Sequence, residues 1–311
     1  MERETAEPTV ESVPGKRAEQ WVEYHQRRAA VSTFVYEFVW DTTAPAIGPF
    51  CTDVDGNVLL DFASHVAASP LGYNNPKILE PLAEFELVDP LKIAGQDFCV
   101  SHGWPPESPS VPGPTQLLER LLELTEPYGM ETVFLSNSGA EAIENAIKIC
   151  YDHRAGKHGI TFDGGFHGRT LGALSVTRAK AVQRRGYPEI AGVESVPFCA
   201  DRRCDPATCR CGFFRGRRGD ASEPSGETTV ASALGELLSR DRGVVDPEDV
   251  SYVVLEPVQG EGGYRFPSRA FVSEIAEVVG RHDVPLVADE IQTGLGRTGE
   301  IWGVDHYPIE P

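Results

Sequence analysis

Lysine is scarce in this sequence. Only six of its 311 residues are lysine, and 47 aspartate and glutamate residues against 28 lysine and arginine residues give a formal net charge of −19. An acidic surface of this kind repels the phosphates of nucleic acids and of anionic membranes. We therefore expect no nucleic acid and no membrane among the partners. The composition also favours a halophilic source, because high salt screens the repulsion between acidic groups.

A long apolar run is lacking as well. No segment approaches the roughly 20 consecutive apolar residues that span a bilayer. The first residues, MERETAEPTVESVPGKR, contain no apolar core of a secretory signal. Seven cysteines are an odd number for a chain of this length, which is typical of a cytosolic protein with reduced thiols. The sequence therefore predicts a cytoplasmic protein.

The distribution of polar and apolar segments predicts the domain organisation. Residues 1–16 are polar and are predicted to form a disordered tail. Residues 17–105 form an N-terminal segment, in which Asp55-Gly56 predicts a hairpin turn. The proline-dense stretch SHGWPPESPSVPGP, residues 101–114, marks a boundary, and residues 106–311 form the second domain.

In the second domain, helical segments alternate with apolar, β-branched runs. A long amphipathic helix is predicted over 139–155, and strands are predicted in the segments 131–136, 159–166, 250–258 and 284–291. This alternation predicts an α/β fold with a mostly parallel sheet that is covered by helices on both faces. Because ligands of such sheets bind at the carboxyl ends of the strands, we expect the functional residues there.

The segment FLSNSGAEAIENA joins the first of these strands to the long helix. Ser138 is placed as the N-cap and Glu141 follows three residues later, which predicts a capping box. The small residues Gly139 and Ala140 let an anion approach the free amide groups of the helix N-terminus. An ordinary capped helix without a ligand explains the same residues.

Two glycine-rich loops carry further candidates. In DGGFHGRT, residues 163–170, Phe166 is suited to cover a planar ligand and Arg169 to bind a carboxylate in bidentate fashion. A loop with a buried phenylalanine fits this segment equally well. In LEPVQGEGGYRFP, Glu256 and Glu261 lie near a strand end, where acids serve as structural caps as readily as site residues.

Asp289 follows the apolar run of the last predicted strand. A carboxylate buried there needs a partner, since burying it alone is costly. A heteroaromatic ring nitrogen is one suitable partner, because a neighbouring aspartate raises its pKa and makes the ring an electron sink. A salt bridge to an arginine such as Arg297 is the other interpretation.

The order of these motifs is more specific than any one of them. SGAEA, FHGRT, EPVQGEGG and ADEIQTGLGRTG, in this order and spacing, resemble the class-III (omega) aminotransferases, which include 4-aminobutyrate and acetylornithine aminotransferases. The resemblance runs from about Asp53 to Pro311. It implies pyridoxal 5'-phosphate (PLP) as cofactor and the PLP-dependent transferase fold of type I. Residues 17–105 would then contain part of the small domain, and residues 106–311 an incomplete PLP-binding large domain.

The resemblance also implies a cofactor site. It comprises a loop for the phosphate, an aromatic residue stacked on the pyridine ring and the histidine after it. An aspartate at the pyridine nitrogen, an apolar residue under the ring and a glutamine at the phenolic oxygen complete it. In this sequence these residues are, in order, Ser138, Gly139, Ala140, Phe166, His167, Asp289, Ile291 and Gln292.

Three more residues are implied to bind the substrate. Arg169 corresponds to the arginine that holds a distal carboxylate, and Glu261 to an acid that pairs with an arginine of the C-terminal domain. Val66 corresponds to an apolar residue of the pocket, although Ser64-His65 replaces the usual glycine pair before it. The implied reaction is transamination of an omega-amino acid resembling 4-aminobutyrate, with 2-oxoglutarate as the acceptor.

The lysine that binds the cofactor as a Schiff base in this family corresponds to a position beyond Pro311. All six lysines of the sequence precede Asp289. We therefore expect a chain that is truncated before this lysine and inactive alone, and that is completed in a homodimer or by a complementing C-terminal chain. The alternatives are a non-catalytic PLP-binding remnant and a regulatory protein. Aminomutases, racemases and a decarboxylase share the fold, so the fold does not choose the reaction.

A cysteine-rich segment, residues 199–229, is predicted to be an insertion between strands. Its cysteines follow the pattern Cys-x4-Cys-x4-Cys-x-Cys, at Cys199, Cys204, Cys209 and Cys211. Four thiolates are a suitable ligand set for zinc. This spacing differs from the paired Cys-x2–4-Cys of zinc ribbons. A loop with incidental thiols is therefore the favoured interpretation, and no metal site is predicted.

Overall fold

The computed structural model describes residues 1–30, 36–84, 103–108, 112–219 and 228–311. The chain divides into two units, Met1–Ala94 and Gly95–Pro311. The boundary between the N-terminal segment 17–105 and the large domain 106–311 stays a prediction.

The first unit contains two helices and a short hairpin. Helix α1 is Lys16–Gln26, strands β1 and β2 are Phe50–Thr52 and Val58–Leu60, and helix α2 is Pro76–Ala83. The two strands pair antiparallel, with Phe50 opposite Leu60. Gly56 adopts a φ of +88° in the turn between them, a conformation that glycine accepts at little cost. The predicted hairpin is confirmed.

The predicted disordered tail needs correction at residues 9 to 12. Thr9 forms a backbone bridge with Val58 of the hairpin. The side chain of Asn57 accepts the N–H of Glu11 at 2.8 Å and donates to the carbonyl oxygen of Ser12 at 2.9 Å. Polar composition alone suggested disorder, but the free edge of β2 and one buried asparagine provide partners for this backbone.

The second unit is a parallel sheet with helices along the chain between its strands. Its elements are α3 Pro114–Thr125, α4 Gly139–Arg154, β3 His158–Phe162, α5 Leu171–Val176, α6 Ala181–Arg184, β4 Val193–Val196, β5 Phe214–Gly219, β6 Thr228–Ser232, α7 Ala233–Leu237, β7 Val250–Leu255, α8 Arg269–Arg281 and β8 Leu286–Ala288. The main sheet has the order β4-β3-β7-β8 with every pair parallel, and β5 and β6 form a separate antiparallel pair.

The core lies on both faces of β7, all six residues of which are buried. On one face, Val253 and Leu255 belong to the same cluster as Phe271 of α8. On the other face, Tyr252 and Val254 belong to a cluster with Ile143 and Ile147 of α4. Adjacent residues of a strand point to opposite faces, so a strand buried on both faces is predominantly apolar, as β7 is apart from Ser251. The prediction of a parallel sheet covered on both faces is confirmed.

The predicted strand over 131–136 is wrong. The residues leading to α4 have no strand pairing within the described ranges, and the side chain of Phe134 is 61% exposed. An apolar, β-branched run forms a strand only where a neighbouring strand completes its hydrogen bonds. Among the described residues, no helix combines the length and apolar character needed to cross a membrane.

Candidate active site

Three neighbouring parallel strands end at the same edge of the sheet. Strand β3 leads from Phe162 into the glycine-rich loop 163–170, β7 leads from Leu255 into Glu256, and β8 leads from Ala288 into Asp289. The carboxyl ends of parallel strands are where α/β proteins bind ligands. The structure therefore brings three features together at this edge of the sheet: the loop that contains Phe166, the buried Glu256 and Asp289.

Asp289 forms a buried pair with His167. Its Oδ2 lies 2.7 Å from Nδ1 of the histidine, and both side chains are at most 3% exposed. The other oxygen of Asp289 accepts the N–H of Ile291 at 3.1 Å. His167 is held in turn by its own N–H, which donates to Thr177 Oγ1 at 2.9 Å. In the described part of the chain, the partner of Asp289 is thus the histidine rather than an arginine.

This pairing leaves the carboxylate with capacity for another donor. An ionised carboxylate has about four acceptor positions, and the two hydrogen bonds named above use two of them. The Asp289–His167 pair is therefore equipped to accept a hydrogen bond from a protonated heterocyclic nitrogen.

The N-terminus of α4 begins at the predicted residues. The hydroxyl of Ser138 accepts the N–H of Glu141 at 3.2 Å. The carboxylate of Glu141 accepts the N–H of Asn137 at 2.7 Å rather than that of the N-cap residue, so the predicted capping box is only half formed. The N–H groups of Gly139 and Ala140 lie in the first turn, where a helix has no internal acceptors. They are suited to bind an anion.

Close contacts fix this helix end against the other two segments. A Cβ added to Gly139 would lie 2.9 Å from Cδ1 of Ile291, and one added to Gly168 would lie 2.7 Å from Cβ of Ala140. Gly168 also has a φ of +126°, which disfavours any side chain. The loop after β3, the helix N-terminus and the residues after Asp289 therefore meet as the order of motifs predicted.

Glu256 is a site residue that the sequence left undecided. It is buried at the end of β7, where Oε2 accepts the N–H of Phe166 at 2.8 Å and Oε1 accepts that of Gly260 at 3.2 Å. Burial raises the pKa of this carboxyl to about 7, with the charge of Asp289 adding to the increase and His167 opposing it. Glu256 thus positions the backbone of Phe166, and its position directly after a buried strand was the available signal.

The pKa of Glu256 makes stability depend on pH. Its ordinary value of 4.5 applies in the unfolded chain, so the protonated form stabilises the fold, and this contribution is lost as the pH rises from about 4.5 to about 7. Since a glutamine side chain does not ionise, we expect the unfolding free energy of Glu256→Gln, relative to that of the wild type, to increase by about 2.5 kcal/mol from pH 5 to pH 8. Urea unfolding at several pH values measures this difference.

Glu248→Gln is the matched control for that experiment. Glu248 pairs with Arg240 at the surface, and its side chain is 77% exposed. The difference in unfolding free energy between Glu248→Gln and the wild type is expected to be the same at each pH. A constant difference for Glu256→Gln as well would contradict the assigned pKa.

The remaining predicted residues lie at the surface of the second unit or in the first unit. Arg169 is exposed, and Gln292 contacts Gly260, where an added Cβ would lie 1.5 Å from its Oε1. Glu261 pairs with Lys180, whose Nζ lies 2.6 Å from Oε1, so its present partner is a lysine rather than an arginine. Val66 belongs to the first unit and is 62% exposed.

Comparison with known proteins identifies the family. The family model of the class-III aminotransferases matches residues 42–311. The chain belongs to this family. Class-III aminotransferases depend on PLP, and the chain has the α/β fold with a parallel sheet of the PLP-dependent aminotransferases.

Individual relatives show the same family with different reactions. The chain is 32% identical over 263 residues to a probable 4-aminobutyrate aminotransferase of Bacillus subtilis, with 83% of this chain and 53% of the relative covered. It is 29% identical to an alanine/serine racemase of Pyrococcus horikoshii, with 96% and 58% covered. The chain thus spans a little more than half the length of these relatives.

Solved structures share the fold. The taurine:2-oxoglutarate aminotransferase of Bifidobacterium kashiwanohense, a complex with PLP and glutamate, superposes with a TM-score of 0.72 at 19% identity. The match covers 94% of this class-III chain and 60% of that structure. At this identity the likeness concerns the fold alone.

The donor set at the sheet edge fits PLP. Asp289 offers a buried carboxylate to a ring nitrogen, the first turn of α4 offers amide groups to a phosphate, and Phe166 offers a half-buried aromatic face. Glycine at 139 and 168 permits the close approach of the three segments. One edge of the sheet therefore presents a carboxylate acceptor, amide donors and an aromatic face, which suit the ring nitrogen, the phosphate and the ring of a phosphorylated pyridine.

Proposed function

We propose that this class-III chain provides the ring-binding part of an aminotransferase that moves the amino group of an omega-amino acid to 2-oxoglutarate. The observation that carries the proposal is the buried Asp289–His167 pair at the end of β8. When bound, PLP supplies an electron-accepting ring. Asp289 would keep the proton on the ring nitrogen, and His167 would hold the carboxylate of Asp289 in its orientation.

The other residues would position the same group. The amides of Ser138, Gly139 and Ala140 would bind the phosphate at the N-terminus of α4. A separate set would hold the ring: Phe166 on one face, Ile291 on the other, and Gln292 at the phenolic oxygen. Glu256 would fix Phe166 through its backbone N–H. Each of these roles concerns binding and orientation.

The substrate class rests on Arg169 and Glu261. An exposed arginine in the loop after β3 is suited to bind the distal carboxylate of a 4-aminobutyrate-like donor through two parallel hydrogen bonds. Relatives described as 4-aminobutyrate aminotransferases support this class. The Glu261–Lys180 pair would open or exchange partners when a substrate with a second carboxylate binds. A homodimer in the cytoplasm, or a complementing C-terminal chain, is part of the proposal.

The alternative is a protein that binds PLP without catalysis. Two lysines of the second unit are engaged elsewhere, Lys157 with Asp249 at 3.1 Å and Lys180 with Glu261 at 2.6 Å. A lysine at the cofactor acts as acid and base, and positioned acid–base catalysis contributes about 10²–10⁴-fold. We therefore propose that the 311-residue polypeptide binds PLP but does not turn over alone.

Amine transfer tests the proposal. The assay compares 4-aminobutyrate and alanine as donors to 2-oxoglutarate, for the product of the whole natural reading frame and for the 311-residue polypeptide. Loss of a charge-assisted hydrogen bond costs about 1.5–3 kcal/mol. We therefore expect Arg169→Gln to lower kcat/KM for 4-aminobutyrate by about 10–100-fold and to leave the value for alanine nearly unchanged.

Arg242→Gln is the control, since Arg242 is exposed in the turn after α7. It is expected to leave both donors unaffected. Equal losses for both donors in Arg169→Gln would contradict the role of Arg169. Bound PLP without any turnover by the whole product would favour the non-catalytic alternative.

A further inference from the structure

The four cysteines of the segment after β4 converge in the fold. The Sγ atoms of Cys199, Cys204, Cys209 and Cys211 all lie within 4.8 Å of one another. Zinc bound by four thiolates has Zn–S bonds of about 2.3 Å, which places the sulfur atoms about 3.8 Å apart. The cluster therefore needs only small side-chain movements to surround an ion. The spacing along the sequence concealed this, because the fold brings the sulfurs together.

Local hydrogen bonds of the backbone and of aspartate side chains shape the loop between these cysteines. The carbonyl oxygen of Asp201 accepts the N–H of Cys204 at 2.9 Å. The side chain of Asp205 accepts the N–H groups of Ala207 and Thr208, each at 2.8 Å. Both four-residue intervals between cysteines thus contain a turn that is set by an aspartate. These turns fix the course of the backbone between the cysteines.

The surroundings suit a negatively charged metal–thiolate centre. The N–H of Phe214 donates to Sγ of Cys209 at 3.4 Å, the kind of outer hydrogen bond that supports a ligand thiolate. Three arginines, Arg202, Arg203 and Arg210, and two aspartates, Asp201 and Asp205, lie between the cysteines, so this segment carries one net positive charge in a chain of net charge −19. Zinc with four thiolates carries two net negative charges, which this positive charge would offset in part.

Burial distinguishes a structural from a catalytic centre. Cys199 and Cys204 are buried in the main core cluster, and Cys209 and Cys211 pack against it half-buried. A tetrahedral site with four protein ligands has no open position for substrate. Within the described ranges the four thiols are free, and Sγ of Cys209 lies 3.1 Å from that of Cys211, longer than the disulfide bond of about 2.05 Å.

We propose that Cys199, Cys204, Cys209 and Cys211 bind one structural Zn²⁺ as thiolates, releasing four protons to solvent. The ion fastens the loop after β4 to the core. Cys199 directly follows Phe198. The carbonyl oxygen of Phe198 accepts a hydrogen bond from Nη2 of Arg265 at 3.3 Å. Arg265 Nη1 donates to the carbonyl oxygen of Asp163 at 2.9 Å, in the loop that carries Phe166. Zinc therefore stiffens one border of the candidate active site while taking no part in its chemistry.

Metal analysis of the untagged protein tests the site. Protein produced with zinc in the medium is dialysed without chelator, and its metal content is measured by elemental mass spectrometry. We expect one zinc per chain in the wild type, and loss of this zinc in each of the four Cys→Ser variants. Cys150→Ala is the matched control, because Cys150 is a buried thiol of α4 outside the cluster and its removal should leave the zinc in place.

Cobalt substitution keeps the proposal testable if the serine variants do not fold. Wild-type protein refilled with Co²⁺ is expected to show the intense absorption of tetrahedral cobalt–thiolate coordination, and chelation of zinc is expected to lower the melting temperature reversibly. Substoichiometric zinc in the wild type, iron in its place, or a Cys209–Cys211 disulfide in the native protein would each overturn the assignment.

Discussion

Asp289→Asn is expected to lower amine transfer by the product of the whole reading frame by about 10²–10⁴-fold. Removing the charge from one partner of a buried pair costs about 3–5 kcal/mol, and each 1.36 kcal/mol in the barrier is about tenfold in rate. Asparagine has nearly the same shape as aspartate, and its carbonyl oxygen still accepts a hydrogen bond from His167. It provides no negative charge to hold a proton on a ring nitrogen, so the loss should appear mainly in kcat.

PLP binding by the 311-residue polypeptide gives an independent measurement of the same effect. We expect the dissociation constant of PLP, measured by its absorption, to rise about 10–100-fold in Asp289→Asn, as for loss of one hydrogen bond to a charged group. Asp283→Asn is the control, since Asp283 lies before β8 at the opposite edge of the sheet and its side chain is fully exposed. Unchanged affinity and unchanged turnover in Asp289→Asn would remove Asp289 from the site.

Phe271→Ala is expected to destabilise the second unit by about 3–5 kcal/mol, the usual cost of truncating a fully buried phenylalanine. The ring of Phe271 is 0% exposed. Its centroid lies 4.4 Å from that of Phe213, 5.1 Å from Phe198 and 5.5 Å from Phe162. These rings come from four separate segments, so the substitution removes contacts to three other parts of the fold.

Denaturant unfolding followed by circular dichroism measures this loss. Phe134→Ala is the matched control, because Phe134 is 61% exposed and belongs to neither core cluster. Substitutions of exposed residues usually change stability by less than about 0.5 kcal/mol. A loss of less than about 1 kcal/mol for Phe271→Ala would show that the aromatic cluster is loosely packed.

Elements with strong local signals could be predicted from the sequence. Helix α8 has an N-cap serine, Ser268, and buried residues at helical spacing, and β7 is apolar except for Ser251. The segment 131–136 has a similarly apolar composition but no strand pairing in the described structure. A strand depends on a distant partner for its hydrogen bonds, whereas a capped helix satisfies its own.

The site could be predicted as a set of motifs but not as a set of contacts. The order of the motifs led to Asp289 and His167, while their mutual hydrogen bond depends on where two strands end. Glu256 was undecided because a cap and a site residue have the same sequence signal, and here one carboxylate serves both purposes. The convergence of four cysteines required the folded loop.

Arg265 has a consequence for local opening of the protein. Its guanidinium group binds the carbonyl oxygen of Asp163, the side chain of Gln259 and the carbonyl oxygen of Phe198. These acceptors follow β3, β7 and β4 respectively. Because the side chain of Arg265 links the three loops that follow these strands, no loop opens without breaking a hydrogen bond to Arg265. Amide hydrogen exchange in these three loops should therefore follow a single shared opening event rather than three independent ones.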